Sequence, residues 1–407
     1  QAEDGIRDTS RGLVGSEMCI RDRVHTAMRI AIPKETYPGE NRVPITPDSA
    51  KNLCRMGAEL VVEAGLGAGS GFTDAEYSDA GATVSADRNE LFSSADVLLR
   101  LRKPAADEIG LMKRGCIHIS YLDPFNEREL VTALKDAGIT AISMEMIPRT
   151  TRSQKMDALS SQANLAGYVM VLLAATHLPR IFPMMMTPAG TLKPANVFVI
   201  GAGVAGLQAI ATAKRLGARV TAFDTRPVVA EQVQSLGAKF LEIDLGETGQ
   251  TAAGYALELT PEQVEKQRQA QKEVIAKSDV VITTAQVFGR KPPVLVTTDM
   301  VEGMAPGSVI VDMAAETGGN VEGSVPDEIV KVGGVTIIGK ANLAGEVARH
   351  ASQMYSSNLF NLVEDNWSEE DKQFVVDFED DILPGCIITH GGEVVNETIK
   401  KIMEGGA

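Results

Sequence analysis

From Arg29 onward, short apolar runs rich in branched residues alternate with longer stretches whose apolar positions recur at helical spacing. ArgIleAlaIle (29–32) is followed by a helical pattern over 48–56 and then by GluLeuValVal (59–62). Further strand-like runs fall at 96–99, 116–120 and 139–142. This alternation predicts a mostly parallel sheet covered by helices, because each crossover must carry the chain back to the same end of the sheet. The segment 126–137 reads as one such crossover, with Asn126 at its N-cap and Gly138 at its stop.

After Ile142 the pattern breaks into a polar loop, 144–157, that carries Arg149, Arg152 and Lys155 ahead of a helix-forming stretch at 158–170. A loop this polar between two strand–helix series marks a domain junction. A second series begins at Asn196, with strands near 218–223, 279–283, 308–312 and 335–338, and ends near Lys340. A helical region at 343–363 then leads to IleIleThrHis (387–390), a strand expected to return to the first domain. The organisation expected is therefore 28–155 plus 350–407 for the N-terminal domain and 156–349 for the second.

Composition narrows the partners more than the fold. The 407 residues are 44% hydrophobic and carry a formal charge of −15, a surplus that repels phosphate backbones and argues against nucleic acid. Cys19, Cys54, Cys116 and Cys386 are scattered without a CxxC pair, so neither a disulfide framework nor a thiolate zinc site is indicated, and a reducing compartment fits. The most apolar stretch, 165–175, is about half the ~20 residues a membrane span needs. The first 27 residues lack periodicity and read as a non-native or disordered tail, resembling a translated cloning or sequencing adapter, so Met28 is taken as the natural start.

The stretch with explicit chemistry is AsnValPheValIle-Gly201-Ala-Gly203-ValAla-Gly206, which runs into a helix starting at Val204 and then into ArgValThrAlaPhe-Asp224. A strand, a GxGxxG turn, a helix and an acidic residue about 20 positions on make a complete dinucleotide-binding βαβ unit. Gly201 makes the tight turn, Gly203 lets the backbone approach a pyrophosphate, and Gly206 lets helix and strand pack closely. The helix N-terminus offers N–H donors to the phosphates. Asp224 is expected to accept from the adenosine ribose hydroxyls and to repel a 2′-phosphate, favouring NAD over NADP; Thr225 stands beside it. Arg226 either receives a phosphate or stands in solvent at the start of the next helix. The fold class expected is α/β: two doubly wound Rossmann-like domains with parallel sheets, joined by long helices around a cleft.

Between Leu245 and Gln271 lies an insertion longer than most connections, either a tolerated surface excursion or a mobile flap over a bound ligand. Histidines are few. His118 sits in an apolar strand, where a hydrogen-bonded core histidine is the commoner outcome, and His177 ends a helix. Neither GxSxG nor HExxH occurs, and no metal site is expected.

IleProLysGluThrTyrProGlyGluAsnArgValProIleThrPro (32–47), MetThrProAlaGly (186–190) and the glycine turn together resemble the alanine dehydrogenase and proton-translocating nicotinamide nucleotide transhydrogenase family, from Met28 to the C-terminus. Within it, residues 146–164 are similar to the loop distinctive of the transhydrogenase alpha subunit. That resemblance implies an NAD(H)-binding chain that passes hydride from NADH to NADP⁺ held on another polypeptide. It implies Arg149 and Asp157 as an ion pair at the nicotinamide end, Gln154 at the boundary with the second nucleotide, and Ser160 on the nicotinamide carboxamide. Tyr255 would be the aromatic of the family's mobile loop, within 245–271.

The partners implied are membrane-spanning and NADP(H)-binding subunits and a second copy of the chain. The place implied is the inner face of a bacterial plasma membrane, peripherally. The dehydrogenase branch follows a TyrLeu pair with a catalytic histidine. Here Tyr121 and Leu122 are followed by Asp123, whose ordinary pKa near 4 suits amine–carbonyl chemistry poorly. Arg102 and Lys103 lie near that branch's substrate lysine and are left unassigned.

Overall fold

Strands buried on both faces need continuous apolar runs, and the runs read above become the centres of two open sheets. The structure is a computed structural model that describes residues 27–246, 248–250, 257–287 and 289–405, so the expected tail lies almost wholly outside the described residues. The first sheet takes β1 (Arg29–Ile32), β2 (Glu59–Glu63), β3 (Thr83–Ser85), β4 (Val97–Leu99), β5 (Ile117–Ser120) and β6 (Thr140–Ser143). An exposed hairpin, β7 (Met185–Thr187) and β8 (Gly190–Leu192), precedes the second.

That second sheet takes β9 (Asn196–Ile200), β10 (Arg219–Phe223), β11 (Lys239–Phe240), β12 (Val280–Thr283), β13 (Val309–Asp312), β14 (Ile329–Val332) and β15 (Val335–Ile338). A two-stranded ribbon, β16 (Trp367–Ser368) and β17 (Gln373–Phe374), leads to β18 (Ile387–His390) and β19 (Glu393–Val394).

The first sheet has the order β19-β18-β6-β5-β4-β1-β2-β3, and the second β11-β10-β9-β12-β13-β15-β14. IleIleThrHis joins the first sheet beside β6, as its sequence suggests, but in antiparallel pairing. With β19 and β14, which also pair antiparallel, it gives otherwise parallel sheets antiparallel edges. The chain departs to either side of β1 and of β9, which puts a crevice at the carboxyl end of each: the usual ligand position in a doubly wound sheet.

Two expectations need correcting. Asn126 does not cap its helix, which runs from Arg128 to Asp136; its amide donates instead to Asp123 Oδ1 at 2.8 Å. The insertion 245–271 is not one continuous loop. Thr260 and Gln263 form a reciprocal capping box and Pro261 occupies the first turn, so a helix runs from Pro261 to Ala276 and buries Gln267, Gln271 and Ile275.

The apolar stretch 165–175 is part of a 20-residue helix, Ala158–His177, long and apolar enough by length and composition to cross a membrane. In this fold it joins the two units. Its Gly167 sits so close to the helix Val204–Arg215 that a Cβ there would lie 2.2 Å from the Ala205 carbonyl oxygen. Gln162 on the same helix accepts from Arg42 Nη1 at 2.9 Å and donates to the Ala351 carbonyl of the helix Ala348–Asp365 at 3.0 Å.

Arg42 reaches Gln162 from a buried polar knot. Glu40, whose side chain is fully covered, accepts from Arg42 Nε and Nη2 at 2.7 Å each, from Arg102 Nε at 2.8 Å and from Asn342 Nδ2 at 3.2 Å. Asn342 follows β15, so one carboxylate ties the first unit to the second. Burial alone would raise the Glu40 pKa, but the hydrogen bonds and charges of Arg42 and Arg102 outweigh it and bring it down to about 2.

A carboxyl depressed when folded stabilises above its unfolded pKa and loses that contribution as pH falls through its folded one. Glu40→Gln should therefore cost about 3 kcal/mol near neutrality, where it leaves the buried Arg42 without its counter-charge. The gap in melting temperature between variant and wild type should be full above pH 4.5 and shrink as pH falls toward about 2. A gap that stays constant over that range would refute the assignment.

Candidate functional site

At the end of β9 the backbone turns through Gly201, whose φ of +101° a side chain would strain. A Cβ on Gly206 would lie 1.8 Å from the Gly201 carbonyl oxygen, so only glycine lets this helix begin so close to the strand. Gly203 is the opposite case, since a Cβ there meets nothing within 4 Å. The turn thus shows bare backbone and a helix N-terminus to open space, with Val204 41% exposed at the first helical position. Donors and dipole of this kind suit a phosphate.

Asp224, just beyond β10, is buried and closes the turn from the side. Its Oδ2 accepts from the Ala202 amide at 2.8 Å. Arg226 does not stand free in solvent: its backbone N–H and Nε bind Asp224 Oδ1 and its Nη2 binds Oδ2, each at 2.8 Å. The hydrogen bond to Asp224 raises the Arg226 pKa further. A cavity of about 320 Å³ adjoins the pair, lined by Phe223, Asp224, Thr225, Pro227, Glu242 and Asp244 among others. Sequence spacing had no signal for Glu242 or Asp244, which reach the cavity through the path of the chain after β11.

The polar junction loop builds a second concavity, of about 300 Å³, lined by Arg149, Thr150, Thr151, Ser153, Gln154 and Asp157. Arg149 and Asp157, the implied ion pair, thus both line it. Asp157 also caps the helix Ala158–His177. Its Oδ1 accepts from the Ser160 amide at 2.9 Å and its Oδ2 from the Ser160 hydroxyl at 2.6 Å. Arg152 anchors the loop from outside by binding Asp365, Asp380 and Asp381. Tyr255 lies outside the described residues.

Neither Asp123 nor His118 is among the residues that line this concavity. Asp123 is held at φ +51° while buried Glu145 accepts its backbone N–H and that of Leu122. Burial raises the Asp123 pKa. His118 is a core residue: it contacts Ser120 Oγ at 3.0 Å, and burial pulls its pKa down to about 3, so it is neutral near pH 7.

With this geometry in place, comparison with known proteins decides the family. Residues 31–166 match the alanine dehydrogenase/PNT N-terminal domain, and residues 170–397 match its C-terminal domain. The chain belongs to the alanine dehydrogenase/PNT family. It is 45% identical over 379 residues to the first part of the divided NAD(P) transhydrogenase subunit alpha of Rhodospirillum rubrum, a match covering 91% of this chain and 99% of the relative.

The crystal structure of transhydrogenase from Sinorhizobium meliloti superposes with a TM-score of 0.82 at 46% identity, covering 90% of this chain and 100% of that one. The alanine dehydrogenase of Mycobacterium tuberculosis is 34% identical over 304 residues, 74% of this chain and 76% of that one. Within the alanine dehydrogenase/PNT family, the two-sheet α/β architecture found here is therefore the common frame.

Two glycine variants separate packing from ligand approach. Gly206→Ala should cost about 3 kcal/mol of stability, because its methyl overlaps backbone that cannot yield. Gly203→Ala should leave stability within about 0.5 kcal/mol and lower dinucleotide affinity at least about tenfold by blocking close backbone approach. Denaturant unfolding and nucleotide titration of both variants check this, and equal stability losses would contradict it.

Proposed function

We propose that this chain is the NAD(H)-binding alpha component of a proton-translocating transhydrogenase, passing hydride from NADH to NADP⁺ held on a partner subunit. The observation that carries this is the pairing of a phosphate-ready glycine turn with an open polar cavity on the junction loop, in a sequence where Asp123 follows Tyr121 and Leu122 at the position the dehydrogenase branch gives to a catalytic histidine. Transfer between two nicotinamides moves no proton in the chemical step. It therefore needs positioning and exclusion of water more than an acid or base.

When bound, the dinucleotide supplies the hydride chemistry; the chain's residues hold and orient it. The backbone at Ala202 and Gly203 and the helix starting at Val204 would take the pyrophosphate. Asp224 would take the adenosine ribose, and Glu242 and Asp244 along the same cavity add charge that disfavours a 2′-phosphate, which supports NAD over NADP. Arg149, Gln154, Asp157 and Ser160 would meet the nicotinamide end, with Gln154 toward the second nucleotide.

The partners proposed are separate membrane-spanning and NADP(H)-binding subunits, which place the chain peripherally on the cytoplasmic face. The near-complete match to a relative named as one portion of a divided alpha subunit supports this. A homodimer is supported by the β7–β8 hairpin and the residue before it, which expose Met184, Met185, Met186 and Leu192. An apolar patch of this kind commonly marks a contact surface.

Purified protein, NADH and an NADP⁺ analogue should show hydride transfer only when an NADP-binding partner domain is added. Turnover with pyruvate and ammonia in its absence would instead establish the amino-acid dehydrogenase activity. Gln154→Asn should slow transfer about tenfold while NADH affinity changes less than about twofold, the signature of a residue acting on positioning; parallel losses in both would remove Gln154 from the boundary. Met186→Asp should shift the sedimenting species from dimer to monomer, and an unchanged dimer would clear the hairpin of that role.

A further inference from the structure

The Asp224 carboxylate, which the nucleotide-binding proposal assigns to ribose, is already saturated. It has about four lone-pair positions. Four donors fill them: the Ala202 amide, the Arg226 amide, and Arg226 Nε and Nη2, all at 2.8 Å. The Ala202 bond is part of the glycine turn, and the Arg226 amide is held where Pro227 opens a short helical turn. The two guanidinium bonds are the ones that side-chain rotation alone can release. Both side chains are largely covered, 7% and 15% exposed, so the pair is a forked, charge-assisted contact and not a loose surface bridge.

We propose that Arg226 is a built-in competitor for the ribose carboxylate, a specificity-determining residue whose displacement weakens NAD(H) binding and narrows its margin over NADP(H). This rests on the nucleotide-binding function proposed above. A ribose diol approaching Asp224 exchanges its hydroxyl donors for Arg226 Nε and Nη2, so each nucleotide bond formed replaces one already present.

A 2′-phosphate reverses the exchange. The guanidinium turns from carboxylate to phosphate, while Asp224, Glu242 and Asp244 remain as negative charges around the same cavity. Arg226 therefore holds back the hydroxyl-bearing nucleotide and partly shelters the phosphorylated one. Removing it frees two carboxylate acceptors for hydroxyls and leaves a bare negative site facing a phosphate.

The test is titration of the whole protein with NADH and with NADPH, by calorimetry or nucleotide fluorescence, for wild type, Arg226→Ala and Arg226→Lys. Arg226→Ala should bind NADH about three- to tenfold more tightly and NADPH more weakly, widening the ratio of affinities. Arg226→Lys cannot form the two-pronged contact and should fall between the two. If Arg226→Ala proves too unstable to titrate, the Lys variant carries the same sign for each nucleotide.

Weaker NADH binding by either variant, or equal factors for both nucleotides, would overturn the competitor role. Wild-type protein that binds neither nucleotide would instead overturn the binding function on which it rests.

Discussion

A methyl group at Gly206 would stand 1.8 Å from the carbonyl oxygen of Gly201, and one at Gly167 would stand 2.2 Å from that of Ala205. These two approaches set the distances of the second unit. The first seats the helix Val204–Arg215 on the end of β9, and the second seats the helix Ala158–His177 on that helix. Contacts at such separations have no slack, because packed backbone yields less than the tip of a side chain. From Gln162 on the junction helix, hydrogen bonds continue to Arg42, from Arg42 to Glu40, and from Glu40 back to Asn342 beyond β15. The glycine turn and the crevice of the other sheet are thereby parts of one closed circuit of backbone packing and buried polar contact.

Buried carboxylates are used repeatedly for the same mechanical task. Glu145 fixes Leu122 and Asp123 through their amides and accepts from Ser143 Oγ. Asp312, fully covered, gathers Thr283, Ala314, Asn320 and Val321 at the end of β13. Asp224 pins the glycine turn. In each case several N–H or O–H donors from a loop converge on one acceptor, which offsets the cost of burying its charge and leaves the loop a single conformation. An acidic chain of net charge −15 thus uses part of its surplus inside, as loop anchors.

Legibility in the sequence follows the range of the interaction. The central strands, such as Ile117–Ser120 and Val280–Thr283, were visible because burial on both faces demands an apolar run within a few residues. The edges were not. Thr83–Ser85, Lys239–Phe240 and Ile329–Val332 are short or alternate in exposure, and their pairing is set by neighbours far along the chain. The helix Pro261–Ala276 has a readable capping box at Thr260 and Gln263, but the glycines at 246, 249 and 254 make the whole stretch resemble a loop. At the site, the spacing from Gly201 to Asp224 was legible because the βαβ unit is local. The closure of Arg226 onto Asp224 depends on side-chain torsions, and the Glu40 to Asn342 bond joins residues 302 apart, so neither leaves a local trace.

The same property unites the two candidate cavities: their key acids are satisfied before any ligand arrives. Asp157 is engaged by Ser160, and Asp224 by Ala202 and Arg226. A site built from unpaired charges would gain the full strength of each new hydrogen bond, but it would strain the unliganded fold and release its ligand slowly. A site built from exchangeable bonds gains only the difference between old and new partners. It remains ordered when empty and binds with moderate strength. For a chain proposed to take a nucleotide reduced and return it oxidised, without changing it in any other way, moderate affinity is a requirement of turnover, because a tightly held product would halt the exchange.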